Sequence, residues 1–559
     1  MFVLIHHHNL IIYMRFYILN RYISVTQVIL FGLFISLSPQ ASAQSGCNCS
    51  EYVYLNEPHS GGAVLKYKVE ANGDLTPISP PWFDNGAAGE DLTVPHGLGI
   101  DPNGFIYVGE IASGGQIRRF TCDGGILPES EFAITNGGQT SIASLDGFLY
   151  ANDWNSRFIK KHDYCTQGLV AEVELCNAGG QNWGLYYDEN TGLFYATAGH
   201  SINGTGYLYT FTDADFDNDP NTCVMPVPLA VPLPSNNSRI GGVVTDPAGN
   251  IFIAVRIDNS MNPSGSYLLK YGPAPNYTFM GSSIIDTGDD GTGFYQPLGL
   301  VYSQTSGLIY VSNRGVVDDC VSSFDTDLNY VGTAVPAAGN GTAAKGIGIT
   351  TECCPVSSNV VIDTLICMNS VGDNILLADL LDCQEGTICE GVWSELAGNV
   401  GITFDDCDFF LTITAPDACG TFVRESDGTA PASQCGAFTI TINVQTADLP
   451  TVSVSADQNY TCPIPSTFAP ISVTTTADNI QWQVSTTSCT AGFSDISGAT
   501  SAAYTPIGLT STTYYRAVVS NMGACDTGSC DTIGDCITVS VEEDCCPDPN
   551  CFDITVTRN

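Results

Sequence analysis

The sequence predicts an all-β chain: a six-bladed β-propeller with a composite closing blade, followed by two β-sandwich modules. Three observations lead there. A strand–turn–strand pattern, met first at 96–110 as "HGLGIDPNGFIYVGE", recurs at intervals of roughly 40 to 60 residues, a period typical of propeller blades. Only 13% of the 559 residues are charged, Gly, Ser, Thr, Asn and Asp abound, and no long amphipathic helical pattern follows the N-terminus. Near residue 353 the composition changes, and cysteine becomes frequent.

Residues 1–43 read as an export segment. "VILFGLFISL" (28–37) is a short apolar run, preceded by Arg15 and Arg21. Ala41 and Ala43 fit a small-residue cleavage site, so the mature chain is expected to start near Gln44. A membrane anchor is the alternative, but the run is short for a span. All 23 cysteines follow this site, which fits disulfides in an oxidising compartment better than zinc, since histidines are scarce. The formal net charge is −41, which argues against nucleic acid as a partner and against adhesion to anionic lipid.

The repeats come next. "TSIASLDGFLYANDW" (140–154), "NWGLYYDENTGLFYATAGH" (182–200), "IGGVVTDPAGNIFIAVRID" (240–258) and "PLGLVYSQTSGLIYVSNRG" (297–315) each give a strand, a turn rich in Asp, Asn and Gly, and a strand of the "FIYV" type. A third strand follows each: "GQIRRF", "RFIKKH", "GYLYTF", "SYLLKY" and "CVSSFD". Two half-repeats remain. "KGIGITTE" (345–352) is a first strand with nothing after it, and "EYVYLNEPHSGGAVLKYKV" (51–69) is a second and third strand with no first. Together they complete a sixth blade, which closes the ring and removes two open sheet edges. Closure brings Cys47 and Cys49 close to Cys353 and Cys354, and a disulfide across the seam is expected.

With these residues in view, the blade pattern resembles the NHL and SMP-30/gluconolactonase-like six-bladed propellers over about 47–352. "LYANDWNSRFIKKH" (149–162) is close to the NHL consensus, with Asn155 and Arg157 in the expected places. The resemblance implies a divalent cation in the central channel, held by a Glu and by Asn or Asp residues just before the glycines of first strands. Here those positions are read as His96, Ser141, Trp183, Gly241, Leu298 and Lys345, so that ligand set is largely missing, although Asn182 lies one position earlier.

Other polar residues gather where second strands end. Asn56, Glu57, Glu110, Asn152, Asp153, His200, Arg256, Asn313 and Arg314, with Asn182, are expected on one face, where propeller loops converge. They form either a mixed polar binding face, with Glu110 or His96 as candidate general base, or a rim that is simply hydrated. "DADFDNDPNTC" (213–223) alternates Asp213, Asp215, Asp217 and Asp219, followed by Asn221. Short carboxylates at every second position suit Ca2+, and a solvated acidic loop is the plainer alternative. "DTGDDGTG" (286–293) is a weaker stretch of the same kind.

From 353 to 559 there are 25 acidic residues, three arginines, no lysine and 16 cysteines. "FFLTITAP", "AFTITINVQT" and "PTVSVSAD" alternate as half-buried strands do. Two modules fit, 356–447 and 449–542. In the second, "NIQWQVSTT" and "YYRAVV" resemble the Ig-like modules of large surface proteins of Bacteroidetes-type bacteria, which implies an Ig-like β-sandwich with Trp482 in the core and Tyr514 or Tyr515 near a corner. Residues 543–559 read as a linker and the start of a further module. The function this order suggests is a secreted, extracellular or bacterial cell-surface protein that is not an integral membrane protein. Its propeller would bind a protein, glycan or small molecule, and its sandwiches would act as spacers or adhesive units. The alternative is an extracellular divalent-metal-dependent hydrolase (a lactonase) or lyase.

Overall fold

The computed structural model describes residues 47–542, apart from connecting segments of which the longest are 79–94, 284–296, 337–345, 258–265, 199–204, 382–387 and 523–528. The export segment 1–43, the acidic stretch 286–293 and the tail 543–559 lie outside the described residues.

Among the described residues, the strands up to Pro355 form six sheets with consecutive strand order. Blade 1 is the composite. Its first strand, Ile347–Pro355, pairs with Cys47–Glu57, and Ala63–Val69 and Leu75–Pro77 follow outward. Blade 2 holds Pro95–Ile100, Ile106–Glu110, Gln116–Phe120 and Ile126–Ala133. Blade 3 holds Gln139–Leu145, Phe148–Asp153, Phe158–Asp163 and Leu169–Leu175. Blade 4 holds Asn182–Asp188, Leu193–Ala198, Thr205–Phe211 and Ala230–Pro232. Blade 5 holds Ser238–Thr245, Ile251–Ile257, Tyr267–Tyr271 and Phe279–Ser282. Blade 6 holds Pro297–Tyr302, Ile309–Asn313, Asp319–Phe324 and Tyr330–Pro336.

The ring closes as the half-repeats require. Tyr52 lies opposite Thr350, Val53 opposite Ile349 and Leu55 opposite Ile347. The Asn56 amide donates to Gly346 O at 3.0 Å. Cys49 is bonded to Cys353 across this seam, with their Cα atoms 4.0 Å apart. First strands touch in the cycle of blades 2, 3, 4, 5, 6, 1 and back to 2. The first and second strands are apolar on both sides because each blade is covered by its two neighbours: Ile106, Tyr107 and Val108 are all fully buried, as are Ile251, Phe252 and Ile253. The turn between them is set by local chemistry. In blade 2 the Asp101 carboxylate accepts from the Phe105 amide at 2.9 Å, and Gly104 takes the positive φ of 83°. Outside blade 3 the short strand Cys223–Val224 adds in parallel to Leu169–Leu175, and Cys176–Cys223 fixes it there.

Two sandwiches follow. In the first, Asn359–Met368, Ala437–Asp448, Cys419–Asp427 and Val392–Glu395 form one sheet in that order, and Asn374–Leu376, Phe410–Ile413 and Ile402–Phe404 the other. Trp393, Leu411, Phe422, Ile440 and Ile442 fill the space between them. In the second, Val452–Val454, Ile471–Thr475 and Ala503–Tyr504 face a larger sheet built on Thr513–Met522. Trp482 is fully buried there, its indole N–H satisfied by Ser501 O at 2.9 Å, and Tyr515 rather than Tyr514 is the buried member of that pair. Both modules pair an early strand in parallel with the closing strand: Asn359–Met368 with Ala437–Asp448, and Gln458–Tyr460 with Ile537–Val541. Cys354–Cys435 ties the last propeller strand to the first sandwich, Cys367–Cys530 ties the sandwiches together, and Cys489–Cys536 lies within the second. No helix among the described residues is long and apolar enough to cross a membrane.

Candidate functional site

At one end of the ring, the start of each first strand meets the end of each second strand. In blades 2 to 6 the pairing slips at this point, between Pro95 and Gly97, Gln139 and Ile142, Asn182 and Gly184, Ile240 and Val243, and Pro297 and Leu300. Such bulges bend a strand and re-aim its side chains. Neighbouring first strands then approach backbone to backbone. A Cβ on Gly242 would lie 2.8 Å from Leu298 O, and one on Gly346 would lie 2.4 Å from His96 O. The glycine of the repeat is therefore a packing requirement between blades. In blade 3 Ser141 itself occupies the glycine position, since Ile142 is the residue paired with Ala151. This corrects the alignment that placed Ser141 one residue before it.

One residue of each second strand faces these bulges, and in four blades it carries a short polar side chain. The Asn56 side-chain amide donates to Gly97 O of the next blade at 2.9 Å. Asn152 Oδ1 accepts from the Ser141 amide at 2.7 Å. Thr197 Oγ1 donates to Gly241 O at 2.5 Å, and Ser312 Oγ accepts from the Gly299 amide at 2.9 Å. All four side chains are fully buried. They satisfy backbone groups that the bulges leave outside the strand ladder.

The charged residues at this end are also buried. Glu110 Oε1 lies 4.0 Å from Arg118 Nε, with both side chains almost fully enclosed. Arg256 is fully buried and stands directly opposite Arg239 on the adjacent strand. Asn313 Nδ2 donates to Ser322 Oγ at 2.8 Å, and His96 is buried beside Pro95, the residue that pairs with Glu110. The fold thus carries Asn56, His96, Glu110, Asn152, Arg256 and Asn313 to one end of the propeller, and it encloses them, whereas a hydrated rim would leave them exposed. Glu57, Asp153 and Asn182 end or begin strands at the same end, with only their backbone described. His200, Arg314 and Lys345 lie outside the described residues.

The acidic run 213–221 is arranged differently from a wrapping loop. Asp213–Asp217 form a 3-10 helix, in which residues two apart point in different directions. Asp213 accepts from Lys161 Nζ at 2.6 Å and from the Tyr150 hydroxyl at 2.5 Å. Asp215 accepts from the Thr212 amide at 2.7 Å and is thereby a local cap. Asp217 is exposed, and Asp219 and Asn221 lie outside the described residues.

A second polar layer, at the opposite end of the blades, escaped the sequence reading. Second-strand aromatics stand directly across from third-strand bases: Tyr54 from Lys66, Tyr107 from Arg119, Tyr150 from Lys161 and Phe252 from Lys270. Three of these cations also lie over a neighbouring ring, at 4.5 Å for Lys66 on Tyr52, 4.0 Å for Arg119 on Phe105 and 4.2 Å for Lys161 on Phe148. A carboxylate completes the set: Glu352 for Lys66 at 2.6 Å, Asp213 for Lys161, and Asp101 for Arg119 at 4.0 Å. The signal was present in "LKYKV", "QIRRF", "RFIKKH" and "YLLKY". Burial raises the Glu352 carboxyl above its usual range, opposed by the Lys66 charge and hydrogen bonds from Lys66 and Tyr54. Burial first, then the nearby Glu352, pushes the Tyr54 phenol well above its ordinary value. This end of the ring also carries the Cys354–Cys435 tie to the first sandwich, so the bulged end is the one remote from it.

Residues 451–543 match a family described as "Domain of unknown function (DUF8696)", a span that coincides with the second sandwich. No curated protein matches the chain. Among solved structures, a chain of the nidogen/laminin complex is 15% identical, with 54% of this chain and 98% of that one covered and a TM-score of 0.38. A Bacteroides fragilis chain described as a candidate 6-phosphogluconolactonase is 11% identical, with 54% and 98% covered and a TM-score of 0.37. The Kuenenia stuttgartiensis hydrazine synthase is 12% identical, with 48% and 74% covered and a TM-score of 0.33. Likenesses this weak carry no argument about activity, and the propeller stands on its own strand order: an all-β, disulfide-linked chain of six blades and two sandwiches.

Proposed function

We propose that this chain is a secreted or cell-surface binding protein whose propeller presents a ligand face at its bulged end, with the Ig-like sandwiches as spacers or adhesive units. The observation that carries this reading is the use made of the short polar side chains. Asn56 and Asn152, expected among the polar residues of this face, are bonded to backbone groups of the first strands. They build the face. Recognition then falls to the half-buried Arg239, with Glu110, Arg118 and Arg256 enclosed behind it, a mixed-charge set suited to polar or anionic groups of a ligand. The end that bears the sandwich is tied by Cys354–Cys435, which leaves the bulged end to a partner.

The expected result is saturable binding to a component of a glycan array or to an immobilised extracellular protein, weakened at least tenfold by Arg239→Gln with the fold kept. Lactone hydrolysis that vanishes in Glu110→Gln would overturn the reading in favour of the metal-dependent hydrolase. Calcium belongs to the proposal as a brace of the loop that carries Asp213, Asp215, Asp217, Asp219 and Asn221, in which Asp213 and Asp215 also have protein partners. A higher melting temperature with Ca2+ than with chelator, lost in Asp217→Asn, is the expected outcome of that part.

A further inference from the structure

The disulfides lie where the chain would otherwise come apart. Cys49–Cys353 shuts a loop of 304 residues that contains nearly the whole propeller. Cys354 is the next residue along, and Cys354–Cys435 enters the first sandwich. Cys367–Cys530 joins the far end of the strand Asn359–Met368 to the strand Ser529–Ile533 of the second sandwich.

We propose that this connectivity makes the chain a tension member, in which load applied between Cys47 and Val541 bypasses the propeller and most of both sandwiches. The shortest covalent route runs from Cys47 to Cys49, across to Cys353, along to Cys367, across to Cys530 and on to Val541. That route holds roughly 30 residues and is about 100 Å long when fully extended, against about 1,700 Å for the whole stretch. Beyond the reversal at the seam, where Cys47 lies opposite Pro355, much of it is already extended. Asn359–Met368 is an extended strand held along its length by Ala437–Asp448. Ser529–Ile533 and Ile537–Val541 pair one after the other along Thr513–Met522, so they continue each other. Extended strands have little length left to give. The disulfides that Cys47, Cys122, Cys165 and Cys419 also form can only shorten the route.

The inference rests on connectivity alone and stands whether or not the propeller binds the proposed ligand. The test is single-molecule stretching of the full oxidised chain, with handles before Cys47 and after Val541. The expected gain in length is below about 100 Å, with long unfolding steps only after reductant is added to the held molecule. Cys49→Ser together with Cys353→Ser is expected to restore a long step of up to roughly 900 Å, since Cys176–Cys223 keeps 47 residues of the freed loop closed. A propeller-sized step in the oxidised native chain would overturn the proposal. So would the absence of new steps after reduction, which keeps the test decisive if the double variant does not fold.

Discussion

Lys66 and Glu352 sit inside the seam of the ring with almost no solvent contact, and each depends on the other. Replacing Lys66 by Met leaves a buried carboxylate with one hydrogen-bonding partner fewer and no counter-charge. The expected cost is about 3–5 kcal/mol in urea unfolding, whereas replacing both residues by apolar ones of similar size is expected to recover much of it. His162 is a second sensitive residue. Burial chiefly, and the nearby Lys160, lower its pKa from the ordinary 6.5. The unfolded chain therefore binds this proton more readily than the folded one. Stability from this group is present above pH 6.5 and is lost as the pH falls through the folded value. The melting temperature is expected to fall with acid over that window, and His162→Gln is expected to flatten the slope; an unchanged slope would assign the acid sensitivity elsewhere. Neither residue could be ranked from sequence, because a lysine or histidine in a strand reads alike whether a neighbouring blade covers it or not.

At the scale of elements, the repeat itself was legible. "HGLGIDPNGFIYVGE" and its relatives fix strand, turn and strand, and the two half-repeats fix the composite blade; all six sheets follow those divisions. The bulges were not legible, since a slipped register leaves no mark in the residues that slip. They explain why the second-strand polar residues are enclosed: Asn56, Asn152, Thr197 and Ser312 are needed where the ladder breaks. The same geometry gives an experiment. Gly346→Ala would place a methyl 2.4 Å from His96 O, a backbone atom that cannot rotate away. A loss of at least about 2 kcal/mol is expected, as for overpacked cores, while Gly332→Ala, with open space around it, is expected to be nearly neutral.

For the whole molecule, the acidic balance and the buried bases act together. Lys66, Arg118, Arg119, Lys161, Arg256, Lys270 and Arg424 are buried, so a large part of the 17 Lys and Arg never reaches the surface. The outer charge is correspondingly dominated by carboxylates, which keeps copies of the chain apart and repels polyanions. Stability at this scale leans on the seam. A disulfide that closes 304 residues restricts the unfolded chain by an amount worth about 5–6 kcal/mol in the chain-entropy account. Cys49→Ala with Cys353→Ala is expected to lower the propeller's melting transition sharply and to leave that of the second sandwich in place, as read by calorimetry.

Cys47 lies directly opposite Pro355 in the antiparallel pair that seals the ring. Geometrically, the seam is a hairpin that lacks only its loop. Two inserted residues, Asn-Gly for instance, would join these ends without moving either strand. The blades would then form an endless belt, one that could be opened at another blade's outer connection to yield a circular permutant with the same ring.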